Sequence, residues 1–249
     1  MASGWKDYQD YCETLFRRWL NGDPPGVPSL WKTFSPDHCP EPYLEFGSQT
    51  DPLIVLTTNP GGPMDIQTRE AIKVGLRDTA ETYHAAQQSL SQKYVELLAG
   101  HPAGARIQKM VSIAKDAGFS GVRQIEMIPW HSAALNKATA LKLMKVDPTL
   151  SEYGIKLSGV LSLSTAVLGI SGCGRDPRAT PWVKEMMSVI GVSGTLEIIA
   201  IKENANGPTV SWVHGRDEAV SKGVVCTMGN NGLPDKDGCR RLVAFVNQL

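Results

Sequence analysis

The stretch LIVLTTNPGGPMD, residues 53–65, runs from a β-branched apolar segment directly into an Asn-Pro-Gly-Gly turn. Its first part, residues 53–56, shows no polar alternation, which predicts a parallel strand buried on both faces. Pro60 fixes its own φ, while Gly61 and Gly62 let a ligand approach the backbone closely. Because ligands of open α/β sheets collect at the carboxyl ends of strands, Asn59 is a candidate site residue. An ordinary turn with Asn59 as a local cap is the alternative.

Strand and helix patterns alternate along the rest of the chain. Further strands are predicted from residue 122, at 165–170 and at 223–228, with a hairpin or appended strand pair at 196–202 and 209–214. Helices are predicted at 5–20, within 66–118, up to about 164, at 181–190 and at 239–246. This alternation is typical of a three-layer α/β/α sandwich with a central, mostly parallel sheet.

The length of 249 residues and the hydrophobic content of 42% fit a single domain. Within it, residues 1–50 are predicted to form a helix and an extended wrap, and residues 51–249 an α/β core. No apolar run approaches the roughly 18 residues of a membrane span, and the start lacks a signal-peptide pattern. We therefore expect a cytoplasmic protein without a membrane partner.

The charges balance, with 25 basic and 25 acidic residues. Any binding to nucleic acid must then use a local face, for which the basic residues from Lys137 onward are candidates. Five cysteines form no CxxC pair, so we predict no metal and no cofactor. The phosphate-loop and dinucleotide fingerprints are also missing from the sequence.

Residues 57–61, Thr-Thr-Asn-Pro-Gly, resemble the first motif of the uracil-DNA glycosylase superfamily. In that family a strand ends in Gly-x-Asn-Pro-Gly or Gly-x-Asp-Pro-Tyr, and Thr57 stands here where the family has Gly. The resemblance implies a uracil-DNA-glycosylase-like fold and a catalytic Asn59 that holds the attacking water. Asp65 follows closely enough to stabilise the sugar cation or to take the proton, although a helix cap is the alternative. Gly62 belongs to a turn whose backbone amides can bind an anion such as a DNA phosphate.

A second segment, VRQIEMIPWHS at residues 122–132, is similar to the superfamily strand that delivers a base-reading Asn. When the two segments are aligned on Pro129, the position of that Asn falls on Glu126. A carboxyl group there can accept a hydrogen bond from the amine of cytosine. Trp130 is a candidate stacking platform for the base, and His131 and Ser132 are candidate donors to base or phosphate. The alternatives are a solvent-facing Glu126, a core Trp130, and His131 and Ser132 as caps of a helix starting near residue 133.

The third segment, residues 223–249, resembles the superfamily in the order and location of its predicted strand, loop and helix more than in its amino acids. In the family a strand, loop and helix here grip the minor groove and insert a wedge residue into the base stack. The resemblance implies DNA contacts from Asn230 and Asn231, a wedge from Leu233, and a phosphate contact from Arg240. For Asn231 the alternative is a turn residue, because Asn-Gly is a strong turn signal.

Taken with the resemblance, Gly61 and Glu126 favour a modified cytosine as substrate. The strictest uracil enzymes have Tyr where this chain has Gly61, so the pocket is expected to be roomier. Some superfamily members defend bacteria against phages whose DNA contains hypermodified, even glucosylated, hydroxymethylcytosine. We expect a glycosylase that flips such a base out of duplex DNA and leaves an abasic site, without a protein partner. The alternatives are a repair glycosylase for uracil or damaged bases and a non-catalytic nucleotide- or nucleic-acid-binding module.

Overall fold

The computed structural model describes residues 2–22, 32–35, 38–60, 82–97, 102–132, 135–205, 207–216, 221–228 and 233–246. Its strands are β1 (Tyr43–Gly47), β2 (Pro52–Thr57), β3 (Gly121–Glu126), β4 (Val167–Cys173), β5 (Leu196–Asn204), β6 (Gly207–Gly215) and β7 (Lys222–Met228). Its α-helices are α1 (Ala2–Leu20), α2 (Tyr83–Leu97), α3 (Pro102–Asp116), α4 (Lys137–Val146), α5 (Pro148–Leu161), α6 (Pro181–Val189) and α7 (Lys236–Val246).

All seven strands belong to one sheet, in the order β1-β3-β2-β4-β7-β6-β5. Four neighbouring strands, β3, β2, β4 and β7, run parallel to one another, and β1 and β6 are antiparallel to their neighbours. The strand predicted at residues 53–56 is the central β2, buried between two parallel partners. The predicted α/β class with a mostly parallel central sheet is confirmed.

Helices cover both faces of this sheet. On one face, the guanidinium of Arg123 lies 4.0 Å from the centroid of the Trp5 ring in α1. On the other, the ring of Trp212 stacks on Phe245 of α7. Cross-strand partners share a face and successive residues alternate, so the strand registers place Arg123 and Trp212 on opposite faces. The order of layers is therefore helix, sheet, helix.

Two features of the chain before β4 differ from the prediction. The wrap of residues 1–50 contains a strand, β1, which pairs antiparallel with residues 121–125 of β3. The helical stretch up to about residue 164 is divided into α4 and α5 at Asp147. Asp147 has an extended ψ of 119°, as expected for a residue that precedes a proline.

Element boundaries differ more modestly in the second half. β4 continues to Cys173, three residues beyond the prediction, and α7 begins at Lys236 rather than at residue 239. The predicted hairpin is present as β5 and β6, and β6 joins it to the sheet through β7. Among the helices of the described ranges, none has the length and apolarity needed to cross a bilayer.

Candidate functional site

The candidate site lies where β2 and its two neighbours end. The next strand in the chain, β3, lies on one side of β2 in the sheet, whereas β4 lies on the other side of β2. Pairing between β2 and β4 stops at Leu56 and Gly169, although β4 continues to Cys173. This is a point where strand order reverses, and crevices for ligands form at the carboxyl ends of strands at such points.

Asn59 and Ser132 meet at this edge, so the fold brings the first two sequence segments together. The backbone segments at the ends of β2 and β3 stay hydrogen-bonded to each other. Met127 N donates to Thr57 O at 2.8 Å, and Ile128 N donates to Thr58 O at 3.1 Å. Asn59 is half-buried, and its Nδ2 donates to Ser132 O at a long 3.5 Å. The Asn59 amide therefore lies against the chain that follows β3.

Glu126 ends β3 directly opposite Thr57 of β2, at the same edge as Asn59. Its side chain is buried, and its Oε1 accepts from Gln124 Nε2 at 2.6 Å. Its Oε2 makes no hydrogen bond to any residue that the structure describes. Burial raises the pKa of the Glu126 carboxyl, against the opposing effects of Arg106, of the nearby Thr57 hydroxyl and of the hydrogen bond from Gln124.

That environment excludes a solvent-facing Glu126 on an edge strand, one of the alternatives left open by the sequence. β3 is covered on its outer side by β1, and the Glu126 side chain is only 2% exposed. Because Gln124 donates to Oε1, that oxygen acts as the acceptor. In the protonated carboxyl the proton therefore belongs on Oε2.

Trp130 and His131 are buried against the segment that precedes β1. The Trp130 ring lies 6.3 Å from the ring of Phe34, and His131 Nε2 lies 3.0 Å from Glu41 Oε1. The backbone is tied as well, with Ser35 N donating to His131 O at 2.9 Å. Both side chains are almost fully buried, so a flipped base does not reach them in this arrangement.

The interpretation of Ser132 as the cap of a helix starting near residue 133 is wrong. The helix that follows, α4, begins at Lys137, and its cap is Asn136, whose side chain accepts from Thr139 N at 3.0 Å. Ser132 itself is buried and offers its carbonyl oxygen to Asn59.

The third segment is described only in part. Leu233 is half-buried and packs against the core just before α7. Arg240 is exposed within α7, and its Nη1 lies 3.4 Å from Asp237 Oδ1. Five of the predicted site residues lie outside the described residues: Gly61, Gly62, Asp65, Asn230 and Asn231.

Sequence reasoning missed a cluster of nucleophilic side chains at the ends of β4 and β7. Lys137 Nζ donates to Ser171 Oγ at 3.4 Å and to Gly172 O at 3.1 Å. Cys173 of β4 and Cys226 of β7 are diagonal neighbours on one face of the sheet, because the register pairs Cys173 with Met228 and Cys226 with Ser171. Lys137 was predicted only as part of a basic surface, and no motif marks the two cysteines, which the sheet register brings together.

The members of this cluster alter one another's ionisation. Interaction with the Cys226 thiol, with a smaller contribution from Lys137, lowers the pKa of the Cys173 thiol. Interaction with the Cys173 thiol and burial raise the pKa of the Cys226 thiol. Partial burial lowers the pKa of the Lys137 amine. By the strand registers, this cluster and the Glu126 carboxyl lie on opposite faces of the sheet at its carboxyl edge.

Comparison with known proteins identified no relative. No protein-family model matches the chain, and neither does any curated protein or any solved structure.

Proposed function

We propose that this protein is a DNA glycosylase that removes a modified cytosine from DNA and leaves an abasic site. The observation that carries the proposal is the meeting of Asn59 with the chain after β3, at the sheet edge where Glu126 also ends its strand. The motif resemblance assigns water binding and base reading to these two positions. A modified cytosine such as glucosylated hydroxymethylcytosine links the proposal to defence against phage DNA.

The raised pKa of the Glu126 carboxyl, which favours its protonated form, supports a cytosine-type substrate. A protonated carboxyl with Oε1 as acceptor and Oε2 as donor offers one hydrogen bond in each direction. Cytosine presents the complementary groups side by side, a donating 4-amine and an accepting N3. Uracil presents them in the opposite order, because its N3 donates and its O4 accepts.

Base release develops positive charge on the sugar and negative charge on the departing base. In the proposed mechanism Glu126 hydrogen-bonds the departing base, so its effect grows as charge develops there. Asn59 orients the attacking water through its carboxamide but cannot accept the proton, which the proposal assigns to Asp65. The flipped base costs a few kcal/mol of stacking, which backbone contacts and a wedge such as Leu233 would offset.

Duplexes that carry uracil, hydroxymethylcytosine or its glucosylated form test the proposal directly. After incubation, alkali cleaves every abasic site, and scission is measured on a gel. We expect scission of a modified-cytosine duplex, and a loss of about 100-fold or more in rate for Asn59→Ala with little change in DNA affinity. The isosteric Asn59→Asp variant, which keeps the side-chain shape and adds a base, should retain release.

Other outcomes assign other functions. Release from the uracil duplex alone would favour a repair glycosylase. Folded wild-type protein that binds nucleotides or DNA but cleaves no substrate would favour the non-catalytic binding module and contradict the proposal.

A further inference from the structure

β1 forms one edge of the sheet, and α2 covers the first part of that edge. In an antiparallel pair, alternate residues direct their backbone groups towards the partner strand or away from it. Glu45 N donates to Ser91 Oγ of α2 at 3.2 Å, so Glu45 faces away from β3. Tyr43 and Gly47, two positions to either side, face the same way. The Tyr83 hydroxyl of α2 donates to Tyr43 O at 2.7 Å, which closes the start of the edge.

A carbonyl and an amide stay open in the rest of this edge. Glu45 O and Gly47 N make no hydrogen bond to any residue that the structure describes. One residue of an added parallel strand needs such a pair, because its N–H donates to one residue and its C=O accepts from the residue two positions along. An antiparallel strand would instead use both backbone groups of a single residue. At Glu45 the N–H is taken by Ser91, and at Gly47 the carbonyl accepts from Gln49 Nε2 at 3.2 Å.

A groove with a volume of about 710 Å³ lies beside the open groups, between β1, α2 and α3. Its walls include Phe46 of β1, Val95 of α2, and Ile107 and Val111 of α3. Val95 is 59% exposed and Val111 is 37% exposed, so both present apolar surface to water. A residue that pairs with the two open backbone groups would lie opposite Phe46 and point to the same face of the sheet. Its side chain would therefore enter the groove.

Lys115 gives the groove a positive charge. It is exposed in the last turn of α3, and no acidic residue within the described ranges forms an ion pair with it. The Glu45 carboxylate, by contrast, already accepts from Arg123 Nε and from Gln87 Nε2, each at 2.8 Å. Because α3 ends shortly before β3 begins opposite Gly47, Lys115 lies towards the carboxyl end of β1. An acidic side chain two positions beyond the inserted residue would share its face and complement Lys115.

We propose that the open end of β1 and this groove bind an extended segment of a partner protein as an added parallel strand. The segment places an apolar side chain in the groove and an acidic side chain, two positions later, beside Lys115. Two copies of β1 related by a twofold axis would pair antiparallel, so a second copy of this edge is not the occupant. The inference is independent of the proposed DNA chemistry, and it adds a protein partner that the sequence did not predict.

A capped, fluorescein-labelled peptide of sequence TSTLTET is the probe. Its leucine is intended for the groove and its glutamate for Lys115. We expect saturable binding in fluorescence anisotropy, with a dissociation constant below about 1 mM. The same peptide N-methylated at leucine keeps every side chain but loses the N–H that donates to Glu45 O. It should bind about 10-fold more weakly or worse.

Variants of the protein separate the groove from nonspecific adhesion. Val111→Arg places a charge in the groove and should weaken binding by about 10-fold or more. Val146→Arg is the matched control, because Val146 is 62% exposed at the end of α4, outside the groove, and should leave binding unchanged. Lys115→Glu should weaken binding of TSTLTET and strengthen binding of TSTLTKT. Circular dichroism of each variant checks that the fold is intact.

The outcomes that overturn the proposal are distinct. If neither TSTLTET nor TSTLTKT binds wild-type protein, the edge does not accept a strand. Binding that is unaffected by N-methylation but lost in Val111→Arg would mean an apolar pocket without strand addition. A wild-type dimer in light scattering that Val111→Arg dissociates would assign the groove to a second copy of the chain. None of these measurements uses DNA, so their failure leaves the proposed glycosylase standing.

Discussion

The buried carboxyl of Glu126 links the proposed chemistry to the stability of the fold. Because burial raises its pKa, the native state holds the Glu126 proton over a pH range in which the unfolded chain has lost it. That range begins near the unfolded pKa of about 4.3 and ends at the raised native pKa. Within it the native state binds more protons, so wild-type stability falls as pH rises, by at most about 1.4 kcal/mol per pH unit from this group.

Glu126→Gln is therefore expected to become progressively more stable than wild type as pH rises from 4 towards 7. Glutamine keeps the size of the side chain and an acceptor oxygen for Gln124, but it has no charge to bury. Urea denaturation of both proteins at several pH values measures the difference. Glu203→Gln, at an exposed position on β5, is the control and should show no such trend. A pH-independent difference for Glu126→Gln would mean that the native pKa of Glu126 is not raised above that of the unfolded chain.

For individual residues, the sequence predicted which side chains lie near the strand ends but not which groups surround them. The Asn-Pro-Gly turn places Asn59 at the end of β2 through local backbone constraints, which a sequence displays directly. The burial of Glu126 depends on β1 covering β3, and the pairing of Cys173 with Cys226 depends on the β4–β7 register. The register brings the two cysteines together only as diagonal neighbours, and both features are long-range consequences of sheet order, which short motifs do not encode.

Among the elements, the junction of α4 and α5 depends on one side chain. Asp147 is buried, and its Oδ1 accepts from Leu150 N at 3.0 Å at the start of α5. Its own N–H donates to Leu143 O at 2.8 Å at the end of α4. A single residue thus ends one helix and caps the next.

We expect Asp147→Ala to lower the free energy of unfolding by about 1 to 2 kcal/mol, because the capping hydrogen bond to Leu150 is lost. Asp147→Asn retains a capping oxygen and should lose much less. Chemical denaturation of the two variants measures both effects. Equal losses would show that the carboxylate charge, rather than the cap, is what the site needs.

The signals for this junction were present in the sequence, since Asp-Pro is a typical helix start. The apolar periodicity continues across residues 137–161 and obscured the break between two adjacent helices. β1 was missed for a different reason. Its five residues form an edge strand whose pairing partner lies more than seventy residues away in the chain.

For the molecule as a whole, the amino-terminal region is integrated into the sheet and its helical layers. β1 forms one edge of the sheet through its pairing with β3, and α1 packs over the same side. Tyr8 of α1 is fully buried, with its hydroxyl 2.9 Å from the Tyr153 hydroxyl of α5 and 3.1 Å from Pro42 O. α1, β1 and Pro42 therefore supply hydrogen bonds and apolar cover to the sheet and to α5.

A chain that begins at residue 51 should consequently fail to fold cooperatively. Removing β1 leaves the β3 edge unpaired, and removing α1 exposes apolar surface of the sheet and of α5 to water. Near-UV circular dichroism and thermal melting of residues 51–249 are expected to show weak tertiary signals and no sharp transition. Tyr8→Phe, which keeps the ring but removes its hydroxyl, is the matched control and should stay folded with a loss of about 1 kcal/mol. A truncated chain with a sharp transition near the wild-type temperature would mean that the core folds without the amino-terminal region.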